Sequence, residues 1–489
     1  MPCSTSKSRQ IKIAAATCAA IALLVSPGPA SAHAFGVRYD LPLPMWFYLG
    51  GAGAAVALSF VVMAAFVRET GRPPEERRFD LSQMPGISLL AHSATVNIAR
   101  AIMVGLLLLV VATGLLGSED PFHNFAPVFV WVIWWVGLAF ISALVGDLWS
   151  LTNPWRTLFD LADRAAGGSL SLNRRYPDWL SRWPAVIAFF LFAWGELIST
   201  AGENPQLLGW LVIWYSVYIW VGMTVFGPNV WLKNADAFTV VFSLIGRFAP
   251  TGGRDGRWWL RAPSVGLLDT RPVTLSTMVF TVFLLSTVTF DGVLETPAWK
   301  ATLTWIAESQ TLRASLIALQ QSGIDLLVLI KTIALLVIPA GFLAVFLFFC
   351  SLTAVAGGRR DVLTVARWFI LSIIPIAIAY HLSHYISYLM IAGQQIIPVA
   401  SDPFGWGWDL FGSREYKIDI SVVNARMVWF VAVTAIVAGH VFSLYVAHVT
   451  AFRVFATRRA ALLSQLPMML LMVGYTMVSL WILSQPIVA

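Results

Sequence analysis

The chain has 489 residues, of which 58% are hydrophobic and only 12% are charged, and its formal net charge is +7. Soluble domains carry about 25% charged residues, so this composition excludes an ordinary water-soluble enzyme. The basic residues are spread over loops and form no single patch, which argues against a nucleic-acid partner. Of the three cysteines, only Cys350 lies beyond the N-terminal segment, which excludes an internal disulfide and a thiolate metal site in the mature chain.

The first 32 residues have the pattern of a cleaved export signal. A basic start precedes a short apolar run at 13–26, and Ala30-Ser31-Ala32 is typical of a cleavage site. Cleavage after Ala32 would make His33 the first residue of the mature chain, where its amine and imidazole could chelate a transition metal. The alternative interpretation is that His33 only marks where the signal ends.

Ten apolar segments follow, each close to the roughly 20 residues that a helix needs to cross a hydrocarbon layer about 30 Å thick. The sequence therefore predicts an all-α, polytopic integral membrane bundle of about ten transmembrane helices in contact with lipid. Basic residues concentrate in alternate loops, which predicts a multi-pass protein of the bacterial inner membrane with its mature N-terminus outside. The segments are 45–67, 98–117, 127–147, 184–202, 207–227, 272–291, 326–354, 368–392, 427–450 and 463–485.

The segments fall into two groups separated by a long loop. We predict a signal peptide at 1–32, an N-terminal membrane region of about six helices at 33–291, an outer loop at 292–325, and a C-terminal membrane region at 326–489. The outer loop is expected to hold an amphipathic helix around 299–320.

The N-terminal region contains an internal similarity. Tryptophan-rich segments beginning at Trp131 and Trp210 are each followed by a glycine and, seven residues later, by Asn153 or Asn234. This spacing predicts a duplicated two-helix hairpin of equal orientation. Chance similarity between segments rich in interfacial tryptophan remains the alternative.

The strongest chemical signal lies in the eighth segment. His381, His384 and Tyr385 share one face of the predicted helix, and such a polar stripe is costly against lipid. At 1.5 Å per residue, His440 of the ninth segment lies at a similar depth. We expect His381, His384 and His440 to bind one divalent transition-metal ion of unspecified identity, with haem left open. The alternative is that these histidines only form hydrogen bonds between helices.

Acidic residues form a second group of site residues. Glu196 lies inside the fourth segment, and Asp291 ends the sixth. A carboxylate at such a depth is typical of a metal ligand or a general base, so both are predicted as catalytic residues. Asp291 at a wet helix end has the simpler explanation of a solvated side chain, and Glu196 is harder to explain in that way.

These features together resemble a known group of proteins. The segment HAFGVRYDLPLP at 33–44, Thr289-Phe290-Asp291-Gly292, the His381 and His384 pair, and the segment 439–448 resemble bacterial membrane proteins of the fenitrothion hydrolase type over most of the chain. The resemblance implies hydrolysis of a phosphotriester bond in organophosphorus insecticides, together with a second membrane subunit as partner.

The sequence lacks GxxxxGK[ST], GxSxG, HExxH and CxxC motifs, which argues against a nucleotide-driven pump and an ordinary serine hydrolase. On the resemblance, we expect a membrane phosphoric triester hydrolase that acts on a small apolar substrate, with a histidine-bound metal and its hydroxide as the means. The chief alternative is a transition-metal or haem-binding membrane protein for ion transport or electron transfer. A non-catalytic assembly factor is a third interpretation.

Overall fold

The chain is a multi-pass membrane protein built from α-helices. Nine helices within the described part of the chain are long and apolar enough to cross a membrane, which confirms the predicted fold class. The predicted signal peptide and His33 lie outside the described residues. The computed structural model describes residues 43–66, 78–82, 84, 86, 92–254 and 257–488.

The described residues of the first half of the chain form nine helices and a small sheet. The membrane-length helices here are α1, α2, α3 and α7. The elements are α1 (Met45–Phe66), β1 (Phe79–Asp80), α2 (Ser93–Leu116), α3 (Phe125–Leu144), α4 (Trp149–Thr152), α5 (Pro154–Ala165), α6 (Trp183–Leu197), α7 (Pro205–Phe226), α8 (Pro228–Asn234), α9 (Ala237–Gly246), β2 (Thr251–Arg254) and β3 (Arg257–Leu260). The strands pair antiparallel in the order β1-β3-β2.

The second half contributes seven helices. Five of them reach membrane length, and α14 is a 40-residue segment interrupted by short 3₁₀ turns. The elements are α10 (Leu275–Leu294), α11 (Pro297–Glu308), α12 (Gln310–Gln321), α13 (Leu326–Ala356), α14 (Val362–Ser401), α15 (Ala425–Val454) and α16 (Arg458–Val488). Isolated 3₁₀ turns occur at Pro121–His123, Thr200–Gly202, Val265–Leu267 and Ile420–Val422.

The fourth predicted span is shorter than expected. Helix α6 covers 15 residues, or about 22 Å at 1.5 Å per residue, which falls short of a hydrocarbon layer about 30 Å thick. It begins at Trp183 with Pro184 in its first turn and ends before Ile198. The other nine predicted spans correspond to the nine membrane-length helices.

The predicted helix of the long loop is present as two helices. Ser309 ends α11 and caps α12, where its side chain accepts a hydrogen bond from the backbone N–H of Leu312. The N-cap oxygen satisfies a donor that the first turn leaves unpaired, and so starts the second helix. The loop is therefore structured and joins α10 to α13.

Helices α10 and α14 form the most buried part of the bundle. Almost every residue of α10 from Ser276 to Phe290 is buried, and α14 is buried from Ile374 to Tyr385 apart from Leu382. Helix α3 packs against the same part of α14 through a π-helical stretch, Val128–Gly137. Wider π-helical turns occur at functional sites more often than elsewhere.

Candidate functional site

A buried carboxylate joins α10 to α14. The Oδ2 atom of Asp291 lies 2.8 Å from Nε2 of His384 and accepts a hydrogen bond of 2.9 Å from the hydroxyl of Tyr385. The side chain of His384 is 4% exposed and that of Asp291 is 14% exposed. Because an ionised carboxylate only accepts hydrogen bonds, this contact assigns a proton to Nε2 of His384 and makes Nδ1 the basic nitrogen.

The same pair of residue types occurs elsewhere without these surroundings. Nδ1 of His123 lies 2.7 Å from Oδ2 of Asp120, but these side chains are 72% and 48% exposed. The charges of a solvent-exposed pair contribute little free energy because water screens them. In a pair that is excluded from water, the electrostatic interaction is stronger and the geometry is more fixed. Burial therefore separates the Asp291 and His384 pair from an ordinary surface contact.

Gly292 lets the Tyr380 hydroxyl and the Ile482 side chain pack closely beside this pair. A methyl group at Gly292 would lie 2.8 Å from the hydroxyl oxygen of Tyr380 and 3.8 Å from Cε1 of His384. The phenol oxygen and the imidazole edge therefore border the same spot. The Tyr380 side chain is fully buried, and its hydroxyl has no hydrogen-bond partner among the described residues. A buried unpaired hydroxyl is costly, so it marks a place where a ligand or water can accept a bond.

Glu196 belongs to the same polar cluster. It interacts with the indole of Trp135 and lies within electrostatic range of Asp291, Tyr385 and Tyr388. Helix α6 supplies Glu196, α3 supplies Trp135, and α10 and α14 supply the rest. The two predicted catalytic carboxyls therefore lie in one cluster, and Asp291 is the one that contacts the histidine.

The three histidines predicted to share one ion face different surroundings. His381 packs against Trp135 and Phe140 of α3, with ring centroids 6.2 and 5.9 Å apart. His440 donates from Nδ1 to the carbonyl of Ile436 at 2.8 Å and lies beside the ring of Tyr475 in α16.

The described residues contain no group of three or more His, Cys, Asp or Glu side chains that could hold a metal ion. The predicted ligand set of His381, His384 and His440 is therefore not formed by them. The physical reason is the rotation of α15. A Cβ at Gly439 would lie 2.7 Å from the carbonyl oxygen of Pro375, so Gly439 faces α14, and the next residue points about 100° away.

Sequence reasoning missed two members of the cluster. Tyr380 lies one helical turn before His384 and on the same face, so the i, i+4 spacing carried this signal. Trp135 was noted only as part of a tryptophan-rich segment. The π-helical turn that directs it toward Glu196 has no recognisable sequence pattern, and this contact could not have been found from spacing.

Comparison of the chain with protein-family models, with curated proteins and with solved structures gives no match.

Proposed function

We propose that the protein hydrolyses neutral, apolar phosphotriesters, with Asp291 and His384 acting together as the general base. The observation that carries this proposal is the buried contact between Oδ2 of Asp291 and Nε2 of His384, beside the unpaired hydroxyl of Tyr380. The substrate class comes from the resemblance of the sequence to fenitrothion hydrolase-type membrane proteins. We keep the prediction from the basic loops that the protein lies in a bacterial inner membrane with its mature N-terminus outside.

In the proposed reaction, water attacks the phosphorus atom while Nδ1 of His384 takes one of its protons. A new P–O bond to the water oxygen forms, the P–O bond to the aryl group breaks, and the aryloxide leaves with the electron pair. Asp291 holds the imidazole in position and stabilises the imidazolium, as carboxylates do for catalytic histidines. The Tyr380 hydroxyl donates a hydrogen bond to the phosphoryl oxygen, on which negative charge grows.

Tyr385 and Glu196 act on Asp291 and not on the substrate. Tyr385 fixes the carboxylate through its 2.9 Å hydrogen bond, which limits the rotation of Asp291. Glu196 interacts electrostatically with Asp291, so we assign it a positioning role. The proposed steps use Asp291, His384 and Tyr380, and none of them is routed through a metal.

The proposal is tested with purified protein in liposomes and 4-nitrophenyl diethyl phosphate, by following the release of 4-nitrophenolate. His384→Gln removes the base and should lower the rate by about 10²- to 10⁴-fold, the usual contribution of general-base catalysis. His123→Gln changes a histidine that also contacts an aspartate but is 72% exposed, and it should leave the rate unchanged.

Three results would contradict the proposal. No hydrolysis by the wild-type protein would remove the activity, and a normal rate in His384→Gln would remove the assigned base. Hydrolysis that is lost on dialysis against a chelator and restored by a divalent ion would instead favour the metal-bound hydroxide expected from the sequence. The proposed mechanism expects the rate to survive dialysis.

A further inference from the structure

A cavity of about 540 Å³ lies between α2, α3, α6 and α7. This volume falls within the 300–1,000 Å³ that is usual for small-molecule sites. The cavity lies across α6 from the polar cluster, since Gly195 lines it and the next residue, Glu196, contacts Trp135. The cavity is therefore a separate compartment that shares α3 and α6 with the cluster.

The lining of the cavity is aromatic and uncharged. Eleven of its 26 lining residues are Trp, Tyr or Phe, against 13% aromatic residues in the whole chain. None of the lining residues among the described part of the chain is charged. The hydroxyl of Tyr215 is already bonded to Asp236 at 2.7 Å, and that of Tyr218 to the carbonyl of Ala235 at 3.0 Å. The surface therefore suits a neutral molecule and excludes an ion.

The aromatic side chains are arranged to receive a ring. Trp134 meets Phe238 edge to face with ring centroids 4.6 Å apart, and Trp131 lies 5.6 Å from Phe192. Tilted and edge-to-face contacts leave both ring faces and ring edges available to a further ring. Each such aromatic contact contributes free energy beyond that of burying apolar surface. A plain hydrocarbon chain gains nothing from this geometry beyond the burial of its surface.

The cavity is bordered by side chains that face the lipid. Ile187 and Leu191 of α6 are each 60% exposed, and Trp214 of α7 is 66% exposed, and all three line the cavity. In a membrane-spanning bundle such apolar side chains contact the hydrocarbon layer. A ligand that has dissolved in the bilayer can therefore enter sideways, without passing through water.

We propose that this cavity binds one neutral, ring-bearing apolar molecule taken up from the bilayer. Binding does not depend on the hydrolysis proposed for the Asp291 and His384 pair. It rests on the shape, the aromatic lining and the lipid-facing border of the cavity. A hydrocarbon chain of a phospholipid is the occupant that the aromatic lining disfavours.

The test is photolabelling of the full-length protein in phosphatidylcholine liposomes with benzophenone, a neutral two-ring ketone, followed by peptide mass spectrometry. The expected adducts lie on α2 around Met103 and on α6 between Ile187 and Gly195, and they saturate with rising benzophenone. Biphenyl should compete for them, and hexadecane at the same membrane concentration should not. Since no ester is present, the outcome is independent of catalysis.

A matched pair of glycine variants controls the assignment. A side chain added at Gly195, which lines the cavity, meets no atom within 4 Å of its first carbon, and the same holds for Gly105, an exposed residue of α2 outside the lining. Gly195→Leu places a bulky side chain in the cavity and should lower the adduct yield at Met103 at least about fivefold, since a ring that clashes with it loses its contacts. Gly105→Leu should label as the wild type does.

Three results would overturn the inference. The first is labelling that never saturates and is spread over all lipid-facing helices. The second is equal competition by hexadecane, which would make the cavity a lipid-chain groove. The third is an unchanged adduct yield in Gly195→Leu.

Discussion

Replacement of Asp291 by asparagine tests the polar cluster with little change in shape. The amide oxygen of Asn can still accept one hydrogen bond, but the negative charge is gone. The contacts affected are the 2.8 Å distance to Nε2 of His384 and the 2.9 Å hydrogen bond from the hydroxyl of Tyr385. Both partners are buried, so solvent cannot replace the lost charge.

The size of the effect follows from these two contacts. A hydrogen bond to a charged group contributes about 1.5–3 kcal/mol, against about 0.5–1.5 kcal/mol for a neutral pair. Loss of the charge at both bonds therefore weakens the arrangement by about 2–3 kcal/mol. At 1.36 kcal/mol per tenfold, this corresponds to a rate of 4-nitrophenyl phosphotriester hydrolysis that is about 30- to 150-fold lower in Asp291→Asn.

The assay is the release of 4-nitrophenolate by protein in liposomes, with the apparent melting temperature recorded on the same preparation. The matched control is Asp178→Asn, the same chemical change at a side chain that is 89% exposed. The control should retain both rate and melting temperature. A rate for Asp291→Asn within about threefold of the wild type, less than 1 kcal/mol, would refute the reasoning.

Three further predictions follow from close contacts and burial. Gly292→Ala places a methyl 2.8 Å from both the hydroxyl oxygen of Tyr380 and Cγ2 of Ile482, so one of them must shift and the rate of hydrolysis should fall. Gly341→Ala, whose methyl meets nothing within 4 Å, should leave the rate unchanged. A wild-type rate in Gly292→Ala would contradict the role of this close packing. Gly439→Ala should destabilise the bundle by about 1–3 kcal/mol because its methyl meets the backbone of α14, whereas Gly341→Ala, which meets nothing within 4 Å, should be close to neutral in apparent melting temperature. Burial raises the pKa of Asp147, which lies outside the membrane-spanning helices, so its ionisation costs the folded state more than the unfolded state. The free energy of unfolding should therefore fall as pH rises from about 4 toward the raised pKa of Asp147. Asp147→Asn removes this cost, so it should raise the melting temperature more at pH 7 than at pH 4. An equal rise at both pH values would contradict the predicted direction of the pKa shift.

The spanning helices could be predicted because each one corresponds to a long run of mainly apolar residues in the sequence. The length of helix α6 was predicted less accurately. The apolar run at 184–202 continues past Leu197, where the helix ends, into residues that form a separate 3₁₀ turn, Thr200–Gly202. Where a helix ends depends on caps and packing as well as on apolar length. The sequence pattern therefore predicted the number of segments better than their boundaries.

The site was predictable as a set of residues and not as an arrangement. Asp291 and His384 were assigned separate roles, as catalytic carboxylate and metal ligand, because spacing along one helix cannot reveal how two helices are rotated about their axes. The same limit applies to His440, which was predicted to lie at a membrane depth similar to that of His384. Its direction is set by Gly439, which packs closely against α14. A glycine beside a histidine indicates close helix packing, and this signal could have been used.

The most direct measurement of the cooperation between Asp291 and His384 is a double-mutant cycle in phosphotriester hydrolysis. Groups that act as one catalytic unit give losses that are not additive. The rate of Asp291→Asn combined with His384→Gln should equal that of His384→Gln alone, because without the imidazole the carboxylate has nothing to hold. A double variant whose loss equals the product of the two single losses would mean that the two residues act independently, and the proposed general base would not exist.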